Sequence, residues 1–169
     1  ERYGELNKII DHMMPHADLL SPKDPYGKDA DILQRISQVK QEGKSTDDLK
    51  KALSEFDAEM SSKSKQGTKA HAKNLLAVRK FADFIKIFEA YQSMLKDSGR
   101  YDYDDMILLT IRALKENDWL LASLQERYQY MLIDEFQDLN GSQHALIELL
   151  TMPVNVDQDP NVFVVGDDD

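Results

Sequence analysis

Asp134 and Glu135 stand side by side at the end of an apolar run, Met131-Leu132-Ile133, and lead into Phe136-Gln137-Asp138. A hard divalent cation such as Mg2+ wants oxygen ligands, so an Asp at a strand end can hold it directly or through water. An adjacent Glu can accept a proton from a water attacking a γ-phosphate. By itself such a pair is equally a polar strand terminus with its acids in solvent. A second run, Val162-Phe163-Val164-Val165, also ends on an acid, Asp167, after the backbone-permissive Gly166. Two parallel strands that deliver acids to one sheet edge match the crevice where open α/β sheets bind ligands. The chemistry on offer is nucleotide hydrolysis.

The elements that must position these residues follow from periodicity. Tyr3, Leu6, Ile9, Ile10 and Met13 recur at helical spacing, with Pro15 as the stop. Ile32, Leu33, Ile36 and Val39 form a second apolar face closed by Gly43. Ser45 and Asp48 have capping-box spacing ahead of Leu49, Ala52, Leu53 and Phe56, which are expected to face inward. The run from Ser61 to Thr68 is polar and reads as a loop. Phe81, Phe84, Ile85, Phe88, Tyr91 and Leu95 share the strongest stripe, with Gly99 as its C-cap. Further helices are predicted at about 103–116 and 120–127. Ser142 to Leu150 reads as a helix between the two apolar runs, which makes a βαβ unit with parallel strands. The fold class is therefore mainly α, with residues 1–100 all-helical and residues 101–169 leading into a fragment of parallel sheet. Two strands do not complete a sheet with both faces covered, so the remaining strands are expected in sequence outside this chain.

Composition narrows the classes. The chain has 169 residues, 41% hydrophobic and 31% charged, an ordinary globular balance. It contains no cysteine, which excludes disulfides and thiolate metal sites and fits a reducing, cytoplasmic setting. No apolar run approaches the roughly 20 residues of a membrane helix, and no membrane partner is expected. The chain begins at Glu1 and stops at Asp169 within an acidic run, and we read it as a piece of a longer protein. A net charge of −10 argues against a nucleic-acid glove over the whole surface. Between Glu59 and Asp83, however, there is no acid, and Lys63, Lys65, Lys69, Lys73, Arg79 and Lys80 fall there with His71. That segment is either a solvated loop and helix start or a phosphate-contacting surface.

Leu132-Ile133-Asp134-Glu135-Phe136-Gln137-Asp138-Leu139-Asn140, then Gln143, then Val164-Val165-Gly166-Asp167-Asp168-Asp169, resembles the Walker B motif and the start of the next motif in UvrD/Rep-type superfamily 1 DNA helicases. Upstream, Tyr101-Asp102-Tyr103-Asp104-Asp105-Met106-Ile107 resembles the aromatic-acidic-apolar segment that precedes Walker B in that family. The resemblance spans about the last 70 residues, while the first 100 match in character the helical insertion subdomain, subdomain 1B. It implies a P-loop NTPase (RecA-like) parallel sheet, Asp134 on the Mg2+ of Mg-ATP, and Glu135 as general base. It also implies that Gln137 and Asp138 link the nucleotide site to neighbouring motifs, with Asp167 in the motif coupling the γ-phosphate to single-stranded DNA. The parent would use ATP and Mg2+ to translocate 3′–5′ on single-stranded DNA and unwind duplex, its protein partners unspecified. Lys63, Lys65, Lys69, Lys73 and Lys80 are the candidate duplex contact.

The phosphate-cradling loop, a Gly, four variable residues and Gly-Lys-Ser/Thr, is missing. Gly43-Lys44-Ser45 has Gln38 where the first Gly belongs and follows a helix; Gly27-Lys28-Asp29 has no hydroxyl after its Lys. The chain alone is therefore expected to bind neither ATP nor Mg2+ tightly and to hydrolyse nothing. His12 and His16 have metal-compatible spacing but are interrupted by Pro15, and Asp157, Asp159 and Asn161 start a calcium-like run that lacks its Gly and its final Glu. Tyr101, Tyr103 and Trp119 are expected to be buried around a helix rather than to stack on bases. The competing readings are a helical protein-interaction module with degenerate motor residues, and a subunit of a recombination helicase-nuclease.

Overall fold

In the computed structural model, which describes residues 2–13, 17–21, 23–63, 67–152 and 161–167, the helical periodicity resolves into six α-helices before the sheet. They are α1 (Arg2–Met13), α2 (Asp29–Gln41), α3 (Thr46–Ser62), α4 (Lys69–Asp97), α5 (Tyr103–Glu116) and α6 (Asp118–Arg127). There follow β1 (Met131–Ile133), a 3-10 turn (Phe136–Asp138), α7 (Gly141–Thr151) and β2 (Val162–Val164). The described structure is mainly helical with a two-stranded parallel sheet. His16, Lys65, Asp157, Asp159, Asp168 and Asp169 lie outside the described residues. The chain divides into two compact units, residues 1–39 with 44–101, and residues 40–43 with 102–169.

In the first unit the stripes meet as their spacing requires. Leu6, Ile9 and Ile10 of α1, Ile32, Leu33 and Ile36 of α2, Leu49 of α3, and Phe84, Ile85, Phe88, Tyr91 and Leu95 of α4 form one buried cluster. Burying each large apolar side chain contributes about 1.5–3 kcal/mol, which is what holds these helices together. Tyr91 is fully buried, and its hydroxyl accepts a hydrogen bond from Arg2 Nε at 3.2 Å. The α3–α4 hairpin is fastened by the edge-to-face pair Phe56–Phe81 (6.1 Å) and by Asn74 Nδ2 donating to Met60 O at 3.2 Å. Ser45 and Asp48 form the expected capping box at the start of α3. Gly99 (φ +64°) ends α4, its N–H and that of Arg100 returning to Lys96 O (3.0 Å) and Leu95 O (2.8 Å). Two inward assignments are corrected. Tyr3 is exposed, the buried face of α1 beginning only at Leu6, and Ala52 is exposed because it faces an open groove between α2 and the hairpin.

In the second unit α5 lies against both α6 and α7, and Gln125 of α6 donates to Leu149 O and Met152 O of α7's end, each at 3.0 Å. Ile111, Leu114 and Ile133 are its buried apolar residues. The strands pair in register, Met131 with Val162, Leu132 with Phe163 and Ile133 with Val164. Ile133 is covered, but Leu132 and Phe163, opposite one another, are 79% and 62% exposed. Among the described residues nothing covers this face of the sheet. The expected burial of Tyr101, Tyr103 and Trp119 is also overturned, for all three are more than half exposed. They sit before or in the first turns of α5 and α6, and α5's inward positions go instead to Asp104, Asp105, Ile111 and Leu114.

Those inward acids have a partner. Lys40 is completely buried, its Nζ 2.7 Å from Asp102 Oδ2 and 2.8 Å from Asp105 Oδ1. Asp102 is also the N-cap of α5, closing a capping box with Asp105. Burial pushes the Asp102 carboxyl up, but the Lys40 ammonium and the Asp105 N–H outweigh it and hold the group below its ordinary range.

Candidate functional site

β1 is short, yet its ladder continues past its end. Val165 N–H donates to Ile133 O (2.8 Å), and Phe136 N–H donates to Val165 O (3.0 Å). Asp134 and Glu135 are thus the two residues between successive rungs of the ladder. Glu135 has φ 51° and ψ 48°, the only left-handed backbone of a non-glycine among the described residues. Such a conformation costs on the order of 1–2 kcal/mol for an L side chain. It turns the chain from the strand into the 3-10 segment, whose Asp138 N–H returns to Glu135 O at 2.9 Å. Asn140 then caps α7, its side chain and that of Gln143 satisfying each other's backbone N–H. The Phe136 ring meets His144 edge-on at 4.8 Å, packing the turn against the helix.

Side-chain bonds join the two strand ends. Gln137 Nε2 donates to Glu135 Oε2 at 2.6 Å, and Asp167 N–H donates to Gln137 Oε1 at 3.0 Å. Gly166 permits this, because a Cβ there would lie 2.3 Å from Gln137 Oε1 and 3.1 Å from Phe136 N. Glu135 N–H donates to Asp134 Oδ1 at 3.0 Å, which leaves Oδ2 without a partner among the described residues. The Asp138 carboxylate is exposed and likewise has none. Of the sequence-derived site residues, then, Asp134, Glu135, Gln137 and Asp167 are brought together, while Asp138 stands apart with its backbone alone engaged. Among the described residues no group of three or more His, Cys, Asp or Glu can hold a metal. One open carboxylate oxygen fits Mg2+ that arrives with phosphates and water, the usual mode for that ion, and not a closed protein cage.

The other candidates sort by location. Gly43-Lys44-Ser45 joins two helices, with Gly43 (φ +63°) ending α2 and Ser45 capping α3. Lys28 Nζ donates to Leu19 O at 3.0 Å. His12 is exposed at the end of α1. In the basic segment Lys63 pairs with Glu59, Lys69 and Lys73 are exposed with no ion pair among the described residues, and Arg79 lies 3.9 Å from Asp18. At 100° per residue Lys69, Lys73 and Lys80 fall within about 40° of arc on α4. Lys80 is half-buried, lining a cavity of about 900 Å3 with Phe56, Phe81 and Phe84. The sequence reading missed the Lys40 cluster. Its signal was a lysine four residues after Ile36, continuing the apolar stripe. The left-handed Glu135 left no signal in residue type.

A family model described as the UvrD/REP helicase N-terminal domain matches residues 5–169. A protein of Leuconostoc citreum named ATP-dependent DNA helicase PcrA is 37% identical over 84 residues, 50% of this chain and 10% of its own length. The ATP-dependent DNA helicase Rep of Buchnera aphidicola subsp. Schizaphis graminum is 39% identical over 87 residues, 52% of this chain and 12% of its own. A probable DNA helicase of Mycoplasma pneumoniae is 41% identical over 78 residues, 46% and 14% respectively. The chain therefore spans about a tenth of the length of the curated relatives it matches. No helix among the described residues is long and apolar enough to cross a membrane.

Proposed function

The chain belongs to the UvrD/REP helicase N-terminal domain family, and from that premise we propose that it supplies the metal-binding and general-base residues of an ATP-dependent DNA helicase. The observation that carries the proposal is the Glu135–Gln137–Asp167 chain of hydrogen bonds beside Asp134, at the shared end of two parallel strands. On this reading residues 101–169 are part of the first motor domain and of a RecA-like sheet, and residues 1–100 are the helical insertion subdomain. In the parent, hydrolysis of ATP drives 3′–5′ translocation on single-stranded DNA and duplex unwinding.

Asp134 would hold Mg2+ through its open carboxylate oxygen, and the ion would supply charge neutralisation at the phosphates. Glu135 takes the proton of the attacking water. Gln137 links the nucleotide site to the neighbouring motif, and Asp167 lies in the segment that couples the γ-phosphate to single-stranded DNA. Asp138, whose carboxylate stands apart from the chain of hydrogen bonds, links the site to a neighbouring motif from the 3-10 turn. Lys69, Lys73 and Lys80, with Lys63 and Lys65 ahead of them, make the duplex contact from α4, because aligned ammonium groups on one helical face track a phosphate backbone.

The test is Glu135→Gln in the full-length protein that carries this chain. ATP binding is expected to persist while DNA-stimulated turnover falls by about 10²–10⁴-fold, the usual contribution of a general base. Turnover within a few-fold of the parent would remove Glu135 from that role.

A further inference from the structure

We infer that Gln137 is the positioning residue for Glu135, tying one carboxylate oxygen to the main chain after β2 and reserving the other as the base. The inference rests on the reading of Glu135 as general base. A carboxylate only accepts hydrogen bonds and a backbone N–H only donates them. With Glu135 Oε2 on one side at 2.6 Å and Asp167 N–H on the other at 3.0 Å, the Gln137 amide has a single satisfied orientation, nitrogen toward Glu135 and oxygen toward Asp167. The left-handed backbone fixes where the Glu135 side chain starts, but it leaves three side-chain torsions to be set. The amide sets where that side chain ends.

This arrangement distinguishes the two carboxylate oxygens. The Gln137 N–H occupies Oε2, so the water proton is taken at Oε1. One O–H bond of water breaks and the Oε1–H bond forms; the electron pair left on the water oxygen goes to the γ-phosphorus of ATP, whose bond to the β,γ-bridging oxygen breaks, that pair leaving with ADP. Gly166 belongs to the same device without touching Glu135. A Cβ at 2.3 Å from Gln137 Oε1 would displace the amide and so release the carboxylate. A glycine on the second strand end thereby controls a carboxylate on the first, through one side chain.

The experiment compares steady-state ATPase kinetics of Gln137→Leu, Gly166→Ala, the double variant and Glu135→Gln in the full-length protein with DNA. Gln137→Leu is expected to lower kcat about 10- to 100-fold, the scale of a small misplacement, with the KM for ATP unchanged. Gly166→Ala should lower kcat in the same way, and the double variant should be no worse than Gln137→Leu, since both break one link. Gln137→Glu, which keeps the acceptor for Asp167 but sets a carboxylate against Glu135, should be slower than Gln137→Leu. If Gly166→Ala does not fold, the order of the two Gln137 variants decides. Unchanged kcat in Gln137→Leu, a loss confined to KM, or losses that multiply in the double variant would overturn the inference. An inactive Glu135→Gln beside any of those results leaves the general-base reading standing, whereas an active Glu135→Gln removes both.

Discussion

Lys40 places an ammonium group wholly out of water, between Asp102 and Asp105, with the Asp104 carboxylate taken up by Gln41 Nε2 at 3.3 Å. Removing one member of a buried pair leaves the others uncompensated, so such clusters are costly to break, at about 3–5 kcal/mol. Because Asp102 titrates below its usual 3.8, its contribution is complete above that pH and is lost as the pH falls through the lower, folded-state value. Asp102→Asn keeps a competent N-cap while removing the charge. Urea midpoints measured from pH 6 to pH 2 are expected to fall less steeply below about pH 4 in the variant than in the parent. Equal slopes would show that Asp102 is not the group being protonated. The paired acids at Asp134 and Glu135 were readable because their neighbours are apolar, whereas the buried triad joins residues 62 positions apart and had no local signature.

At the scale of elements, caps and stripes were the legible features. α5 runs from Tyr103 to Glu116 as its apolar spacing predicts, and the Ser45–Asp48 box and Gly99 lie where they close their helices. α4 is the exception. Its stripe begins only at Phe81, yet the helix starts twelve residues earlier at Lys69, capped by Thr68 accepting from His71 N–H. Those first three turns carry only a thin apolar face, Leu75 with Val78, which lies beside Asp57 and Met60 of α3, and packing against α3 supplies what the aromatic stripe does further on. The result is a helix with a core-bound half and a basic half. Lys69→Glu with Lys73→Glu should weaken binding of a short duplex and reduce the salt slope by about one unit for each phosphate no longer neutralised. Fluorescence anisotropy at several salt concentrations measures both, and an unchanged affinity at low salt would exclude this face as the DNA-binding one.

For the molecule as a whole, the strand-helix-strand order, the parallel pairing and the incompleteness of a two-stranded sheet followed from the sequence, but which residues lie on its uncovered side took three dimensions to see. Leu132 and Phe163, members of the two apolar runs, are not covered by any described part of the chain. The phosphate-cradling loop is absent from the sequence as well, so the 169-residue chain alone is expected to show no DNA-stimulated release of phosphate in a coupled assay. Turnover abolished by Glu135→Gln in that same chain would contradict this. The left-handed turn at Glu135 carries a consequence of another kind. A position shaped for glycine is filled by glutamate, so on the proposed reading folding and chemistry make opposing demands on one residue. Glu135→Gly should raise the resistance of the chain to urea by about 0.5–1 kcal/mol while extinguishing turnover in the full-length protein. If Glu135 is the base proposed above, selection for stability alone would discard its carboxylate, and this turn is a place where durability has been surrendered to activity.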